Sequence, residues 1–384
     1  MRDASLPEPP ADALAASERL TAQIAAEIAA RGGWIDFARY MALALYAPGL
    51  GYYSGGAQKF GASGDFVTAP ELTPLFAQAL ARQVAQVLAG SEPEVLEAGA
   101  GSGRLAADLL VALDALGAAP ARYRILELSG ELRARQRATI NERARGLADR
   151  VEWLDELPER FAGCLIGNEV LDAMPVHRIE WREDGGVDEI GVGIDGGRLV
   201  ETAHPAQGTV REAALALGAV APGRGELGLA ARAWVSELAR RLNRGALLLV
   251  DYGLPRRELL GGARGADTLR CHYRHRLHGD PLWLPGLCDI TAHVDFTAIA
   301  EAGYDAGLDV MGYISQASFL LNCGIGELLQ QMPGEGTAAL RARGAVNVLI
   351  SPEEMGELFK VIALGRGLSG PLLGFARGDR VHAL

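Results

Sequence analysis

The chain has 384 residues, 49% of them hydrophobic and 22% charged, with a formal net charge of −11 and a pI near 5.2. It is long enough to bury one large core or two ordinary ones, and its acidity would repel a phosphate backbone, so nucleic acid is not expected as a partner. No run of 18 apolar residues suggests a membrane span, and the four scattered cysteines, with no C-x-x-C pair, fit a reducing compartment.

Residues 1–15 carry Pro7, Pro9 and Pro10 and no apolar period, so they read as a disordered tail. The tail is acidic and proline-rich rather than a targeting segment, and a cytoplasmic bacterial enzyme is expected. From Ser17 to Ala30, Leu20, Ile24 and Ile28 recur every four residues and predict an amphipathic helix that stops at Gly32-Gly33. A second helix is predicted over Trp34 to Leu45, closed by Pro48-Gly49. Residues 51–76 then interleave Tyr52, Tyr53, Phe60 and Phe66 with glycines. Such a segment is either a lid over a ligand or an Ω-loop packed by its own side chains, with Asp65 and Thr68 as its polar contacts. Thr73-Pro74 opens a helix towards Leu88. Residues 16–90 therefore form an N-terminal helical and lid region ahead of a core spanning 91–384.

The core begins with EVLEAGAGSGRLAAD, Glu94 to Asp108. It reads as a buried strand, a tight glycine loop and a helix start, a turn in which a ligand lies against bare backbone. A dinucleotide fingerprint needs G-x-G-x-x-G with a pyrophosphate on the helix dipole. Here Gly99, Gly101 and Gly103 run G-x-G-x-G, Arg104 takes the place of the third dinucleotide glycine, and Glu97 would repel a pyrophosphate but could hold an ammonium. S-adenosylmethionine, with an amino group, a sulfonium and no phosphate, suits the loop better than NAD. The next strand, Tyr123 to Leu128, carries Glu127 at its carboxyl end, placed to accept both ribose hydroxyls.

Strands and helices then alternate: strands near 94–98, 123–128, 150–153 and 164–168, helices near 103–115 and 129–143. That pattern predicts an α/β, Rossmann-like doubly wound parallel sheet with its ligand at the strand carboxyl ends. The donor-site residues expected there are Thr68, Glu97, Gly99, Gly101, Gly103, Glu127, Leu128, Ser129, Leu154, Asp155 and Asn168.

Two insertions interrupt the core, at about 176–225 and 254–292. The first has three strand-like runs separated by Asp-Gly and Gly-Gly, predicting antiparallel hairpins. The second is read as irregular; its TLRCHYRHRLHGD holds Cys271, His272, His275 and His278, but the spacing matches no zinc pattern and the arginines oppose a cation, so no metal is expected. A solvated basic rim or an anion or peptide contact is the reading. Later segments predict a helix at 229–242, a strand at 246–251, a helix ending near 302, a strand at 308–311, helices at 316–321 and 335–343, and a last strand at 359–364.

Cys164 to Arg178, CLIGNEVLDAMPVHR, places Asn168, Glu169 and Asp172 after a buried strand. Enzymes that methylate nucleobase amines carry N-P-P-Y at this point; this chain has N-E-V-L. Two carboxylates suit a cationic acceptor such as an arginine guanidinium, with Glu169 as the principal clamp and Asp172 as the second. The alternative reading of Asp172 is as the cap of the following turn, and His293 is the alternative proton acceptor.

On these residues the chain resembles the MidA family of S-adenosylmethionine-dependent methyltransferases. The likeness lies in IDFARYMALALYAPGLGYY (35–53), FGASGDFVTAPE (60–71), EAGAGSGRLAADLL (97–110), GNEVLDAMPVHR (167–178), LLVDYG (248–253), DITAHVDF (289–296) and FKVIALGRG (359–367). Ala47 stands before Pro48 where an acid is expected. The resemblance implies a class I methyltransferase core whose last strand is antiparallel, S-adenosylmethionine as donor with S-adenosylhomocysteine as product, and donor binding by Glu97, Gly99, Gly101, Gly103 and Glu127. It also implies a protein substrate methylated on arginine, a respiratory-complex subunit in the mitochondrial members that serve complex I assembly, and it is compatible with a homodimer. A small-molecule methyltransferase and a donor-binding assembly chaperone without turnover are the alternatives.

Overall fold

The computed structural model describes residues 6–55, 68–218, 222–261, 267–332 and 336–384; Phe60, Asp65 and Phe66 of the glycine-rich loop lie outside them. The chain divides into two compact units.

One unit comprises Val67–Leu171, Ala233–Pro255 and Phe296–Leu384. Its strands are β1 (Glu94–Ala98), β2 (Arg122–Leu126), β3 (Val151–Leu154), β4 (Phe161–Asn168), β5 (Leu242–Leu254), β6 (Asp309–Ser315) and β7 (Phe359–Arg366). They lie in the order β6-β7-β5-β4-β1-β2-β3. Pairing is parallel from β5 to β3, while β7 runs antiparallel to both β5 and β6. This is the expected α/β methyltransferase sheet, antiparallel last strand included. Its central strands are apolar runs rather than alternations because helices cover the sheet: Val95, Ile166, Leu248 and Val361 share one core with Leu80 and Val84 of the helix Pro74–Ala89 and Leu109 and Leu113 of the helix Arg104–Ala115. The reversal of chain order at β4-β1 makes the switch point where such sheets bind ligands.

The other unit comprises Met1–Phe66, Asp172–Arg232 and Arg256–Asp295. The chain up to Phe66 and the two insertions are thus pieces of one body, whereas the helix Pro74–Ala89, expected in the N-terminal region, belongs to the sheet unit. Its central strand, Val187–Asp195, pairs along one edge with Arg198–Pro205; its other pairings are with His177–Trp181 through its first half and Trp34–Asp36 through its second. Gly223–Leu227 extends the sheet beyond His177–Trp181. Leu20, Ile24 and Ile28 are buried in this unit's core as their spacing requires.

Three expectations are corrected here. The first helix begins at Ala11, not Ser17, so the tail is shorter; Pro10 stands at the N-cap, where a missing N–H costs nothing. Trp34–Asp36 is a strand rather than helix, because Ile35 pairs with Val192 and Asp36 ends the strand by capping the helix Phe37–Tyr46, its Oδ1 accepting from Arg39 N–H at 2.8 Å. The stretch after Leu254 is not irregular: Arg256–Gly261 is a short helix, and Arg270–Tyr273 and Arg276–His278 form a hairpin against Asp289–Thr291. Its turn residues Arg274 and His275 have φ of 46° and 61°, the left-handed pair of a two-residue hairpin turn, built here without glycine. The basic cluster is split by that hairpin, with Cys271 and His278 inward and Arg274, His275 and Arg276 exposed at the tip. Among the described residues no helix is long and apolar enough to cross a membrane.

Candidate active site

The carboxyl ends of β1, β2, β3 and β4 bring together, within one unit, the residues expected to hold the donor. After β1 the chain turns through Gly99, Gly101 and Gly103, with φ of 66°, 52° and 82°, a conformation that side chains other than glycine rarely adopt. The turn is also close-packed: a Cβ on Gly99 would stand 2.9 Å from Val170 Cγ1, and one on Gly103 2.8 Å from the Gln136 Cα. Arg104 reaches one turn further along its own helix to pair with Asp108 at 2.6 Å.

Several side chains pin this loop. Ser102 donates its hydroxyl to Glu71, from the short helix Ala69–Leu72 that follows Thr68. Thr139 Oγ1 donates to Ser102 O at 2.8 Å, and Gln136 Nε2 to Gly101 O at 3.1 Å.

The two acids sit differently. Glu97 is buried near the end of β1, its Oε2 accepting from Tyr123 Oη at 2.6 Å. Burial pushes its carboxyl up to about 7, against the pull of the Tyr123 bond and with a further push from the Glu127 charge. Glu127 stands just past β2. Its Oε1 accepts from Ser129 N–H at 2.9 Å and its Oε2 from Gln136 Nε2 at 3.0 Å. Burial raises its carboxyl above the ordinary range, opposed first by the Ser129 N–H and then by the Gln136 amide.

Beside Glu127, the apolar side chain of Leu128 is 79% exposed. Ser129 caps the helix Gly130–Arg143 by accepting from Leu132 N–H. Arg133 donates to Glu127 O at 2.6 Å, Leu154 O at 2.8 Å and Asp155 Oδ1 at 2.7 Å, so the ends of β2 and β3 are tied to one guanidinium.

At the end of β4, Asn168 Nδ2 donates to Glu169 Oε1 at 3.0 Å. Glu169 has φ of 54°, a strained value for a residue with a side chain, and its N–H donates to Val250 O at 2.8 Å. The turn is held by Asp251, fully buried shortly before the end of β5: Oδ2 accepts from Val170 N–H at 3.1 Å and Leu171 N–H at 2.8 Å, and Oδ1 from Tyr252 N–H at 2.9 Å. Asp172 opens the second segment of the other unit; it is buried, and its carbonyl accepts from Ala292 N–H at 3.0 Å. In that same unit His293 N–H donates to Thr268 Oγ1.

Sequence reasoning missed Tyr123, Gln136, Glu71 and Asp251. Tyr123 and Gln136 looked like ordinary strand and helix residues, and Glu71 fell in the stretch read as a lid or Ω-loop. Asp251 carried a signal, an acid closing the apolar run LLLV. Among the described residues three possible metal ligands converge, Asp36, His177 and Glu189, with ligand atoms within 4.8 Å of one another. The 2.6 Å His177–Glu189 hydrogen bond and the capping role of Asp36 account for that convergence.

Residues 77–314 match the family model described as "Putative S-adenosyl-L-methionine-dependent methyltransferase". A Burkholderia thailandensis protein crystallised with S-adenosyl-homocysteine is 55% identical, with a TM-score of 0.96 over 99% of this chain and 100% of that one. Among curated proteins, the mitochondrial protein arginine methyltransferase NDUFAF7 of Danio rerio is 29% identical over 89% of this chain and 85% of its own length. The Mus musculus protein of the same name is 29% identical over 86% and 81%. The match spans well over half of the chain, and the donor product lies in a relative of the same fold. The chain belongs to the S-adenosylmethionine-dependent methyltransferases, in the branch that the MidA resemblance marked out.

Proposed function

We propose that this methyltransferase N-methylates an arginine of a protein substrate, with Glu127 receiving the donor's ribose, Leu128 its adenine, the Gly99–Gly103 backbone its amino-acid portion and Glu169 the acceptor guanidinium. The observation that carries the acceptor reading is Glu169. An acidic side chain is kept in a strained backbone conformation, with one carboxylate oxygen tied to Asn168, at the carboxyl end of a central strand. A fixed carboxylate suits a planar cation, which it binds through paired N–H bonds. It would draw positive charge away from the attacking nitrogen, whose lone pair attacks the methyl carbon of the sulfonium and displaces S-adenosylhomocysteine. The new bond is N–CH3, the C–S pair returns to sulfur, and the methylated nitrogen sheds its proton to solvent. Positioning and electrostatics supply most of the rate in such an in-line transfer. The name of the curated relatives points the same way. Thr68, Leu154, Asp155 and Asn168 belong to the donor-site proposal as neighbours of these groups, and Glu97 to it as the acid behind the loop. Asp172 is carried as a second candidate carboxylate, tested by its own substitution.

The test is methyl labelling. Purified enzyme and labelled S-adenosylmethionine are added to protein extract from a strain lacking the gene, and labelled protein is hydrolysed for methylarginines. Label in methylarginine, lost with Glu169→Gln while S-adenosylhomocysteine still binds, is the expected outcome. Label only in small molecules selects a small-molecule methyltransferase, and donor binding with no transfer to any fraction selects an assembly role without turnover.

A further inference from the structure

The helix Gly130–Arg143 turns Leu132, Gln136 and Ile140 inward, four residues apart. An amide in the middle of that row is costly to bury unless every polar atom finds a partner. Gln136 is fully buried, and both polar atoms of its amide have partners. Nε2 donates to Gly101 O at 3.1 Å and to Glu127 Oε2 at 3.0 Å, while Oε1 accepts from Trp153 Nε1 at 2.9 Å. An indole N–H only donates and a backbone carbonyl only accepts, so these partners permit one amide orientation. The glutamine is thereby joined to the glycine loop after β1, to the acid after β2 and to the strand β3. Its own backbone also bounds the loop, since Gly103 approaches the Gln136 Cα too closely for a Cβ.

We propose that Gln136 is a positioning residue of the methyl-donor site: its amide holds the Glu127 carboxylate ionised and oriented before the donor arrives. The inference rests on the reading of Glu127 as the ribose acceptor. With one oxygen on the Ser129 N–H and the other on Gln136, the carboxylate cannot rotate, yet each oxygen keeps capacity for a further hydroxyl. A leucine or methionine would fill the apolar row equally well, so packing alone does not call for an amide here.

The test is calorimetric titration with S-adenosylhomocysteine at pH 6 and pH 8, on wild type, Gln136→Met, Glu127→Ala and the double variant. Loss of a hydrogen bond to a charged group predicts that Gln136→Met binds about tenfold more weakly or worse. The double variant should bind no more weakly than Glu127→Ala, because the glutamine acts through that acid. The Gln136→Met deficit should also be larger at pH 6, since the amide favours the ionised carboxylate. Additive losses, or a deficit equal at both pH values, overturn the inference and make Gln136 a packing residue. Wild-type affinity in Glu127→Ala overturns the ribose reading itself and the inference with it. Should Gln136→Met not fold, Trp153→Phe serves. It frees the amide oxygen from its anchor without disturbing the helix row, and a smaller loss is expected that vanishes in the Glu127→Ala background; wild-type affinity in Trp153→Phe overturns the inference.

Discussion

Tyr123 donates its hydroxyl to Glu97 Oε2 at 2.6 Å, across the parallel pair β1 and β2. Val95 is paired with Tyr123 and Glu97 with Ile125, so the two side chains are diagonal neighbours on one face of the sheet. Both are buried, and the phenol is held well above its usual range, first by burial and then by the Glu97 charge. The phenol is therefore a donor at every working pH, and the carboxyl is the group that titrates.

That has a stability consequence with a definite sign. The Glu97 carboxyl moves from 4.5 to about 7 on folding. Below the unfolded value both states hold the proton and nothing is lost. Between the two values the unfolded chain ionises while the folded one keeps its proton, so stability falls as pH rises, levelling off above about 7. The difference, 7 − 4.5, corresponds to about 3 kcal/mol at full ionisation. Glu97→Gln keeps the acceptor for Tyr123 and removes the charge. Urea unfolding should show little gain over wild type near pH 5 and a gain growing to about 3 kcal/mol by pH 8; a gain that ignores pH would sink the argument.

Glu169 stores strain where chemistry is proposed. A left-handed conformation costs a residue with a side chain about 1 kcal/mol, a cost that glycine does not bear. Glu169→Gly should therefore unfold at the same urea concentration as wild type or a slightly higher one, bind S-adenosylhomocysteine within about threefold of wild type, and transfer no methyl group. Retained transfer would remove Glu169 from the acceptor site.

Asp251 holds the same turn from below. Its carboxylate takes three backbone N–H groups, two of them from the chain just after Glu169. Replacement by alanine leaves these donors without the acceptor that orders them, which should cost about 3 kcal/mol. Asp251→Asn, with one acceptor oxygen, should lie between. Equilibrium unfolding with an unchanged denaturant slope is the check, and a loss below about 1 kcal/mol in the alanine variant would show that the turn holds without it.

The alternation of strand and helix, the glycine loop and Glu127 were legible because each is written within a short window: an apolar run, a glycine spacing, an acid at a strand end. What was hidden depends on partners far apart in the chain. Leu171 meets Asp251 from 80 residues away and Tyr123 meets Glu97 from 26. Trp34–Asp36 is three residues long, too short for any period to show, and became a strand only because Val187–Asp195 offers it an edge. In the sequence Gln136 is one more polar residue in a predicted helix; only the packing of three strand ends around it shows that it faces inward.

Gly103 separates strain from contact. Alanine there must adopt a φ near 82° and would press its Cβ to 2.8 Å from the Gln136 Cα, a backbone atom that cannot rotate away. Gly117, at φ 68°, has nothing within 4 Å of such a Cβ and so carries the strain alone. Gly117→Ala should cost about 1 kcal/mol and leave S-adenosylhomocysteine binding untouched. Gly103→Ala should cost about 1–3 kcal/mol more from overpacking, by driving the helix Gly130–Arg143 from the loop. It should also weaken S-adenosylhomocysteine binding by about tenfold or more, because Glu127 takes its position from that helix through Gln136. Unfolding and calorimetry on the pair decide it: equal stability losses would mean that the loop and helix separate freely, and an unchanged affinity in Gly103→Ala would mean that the donor does not use their contact.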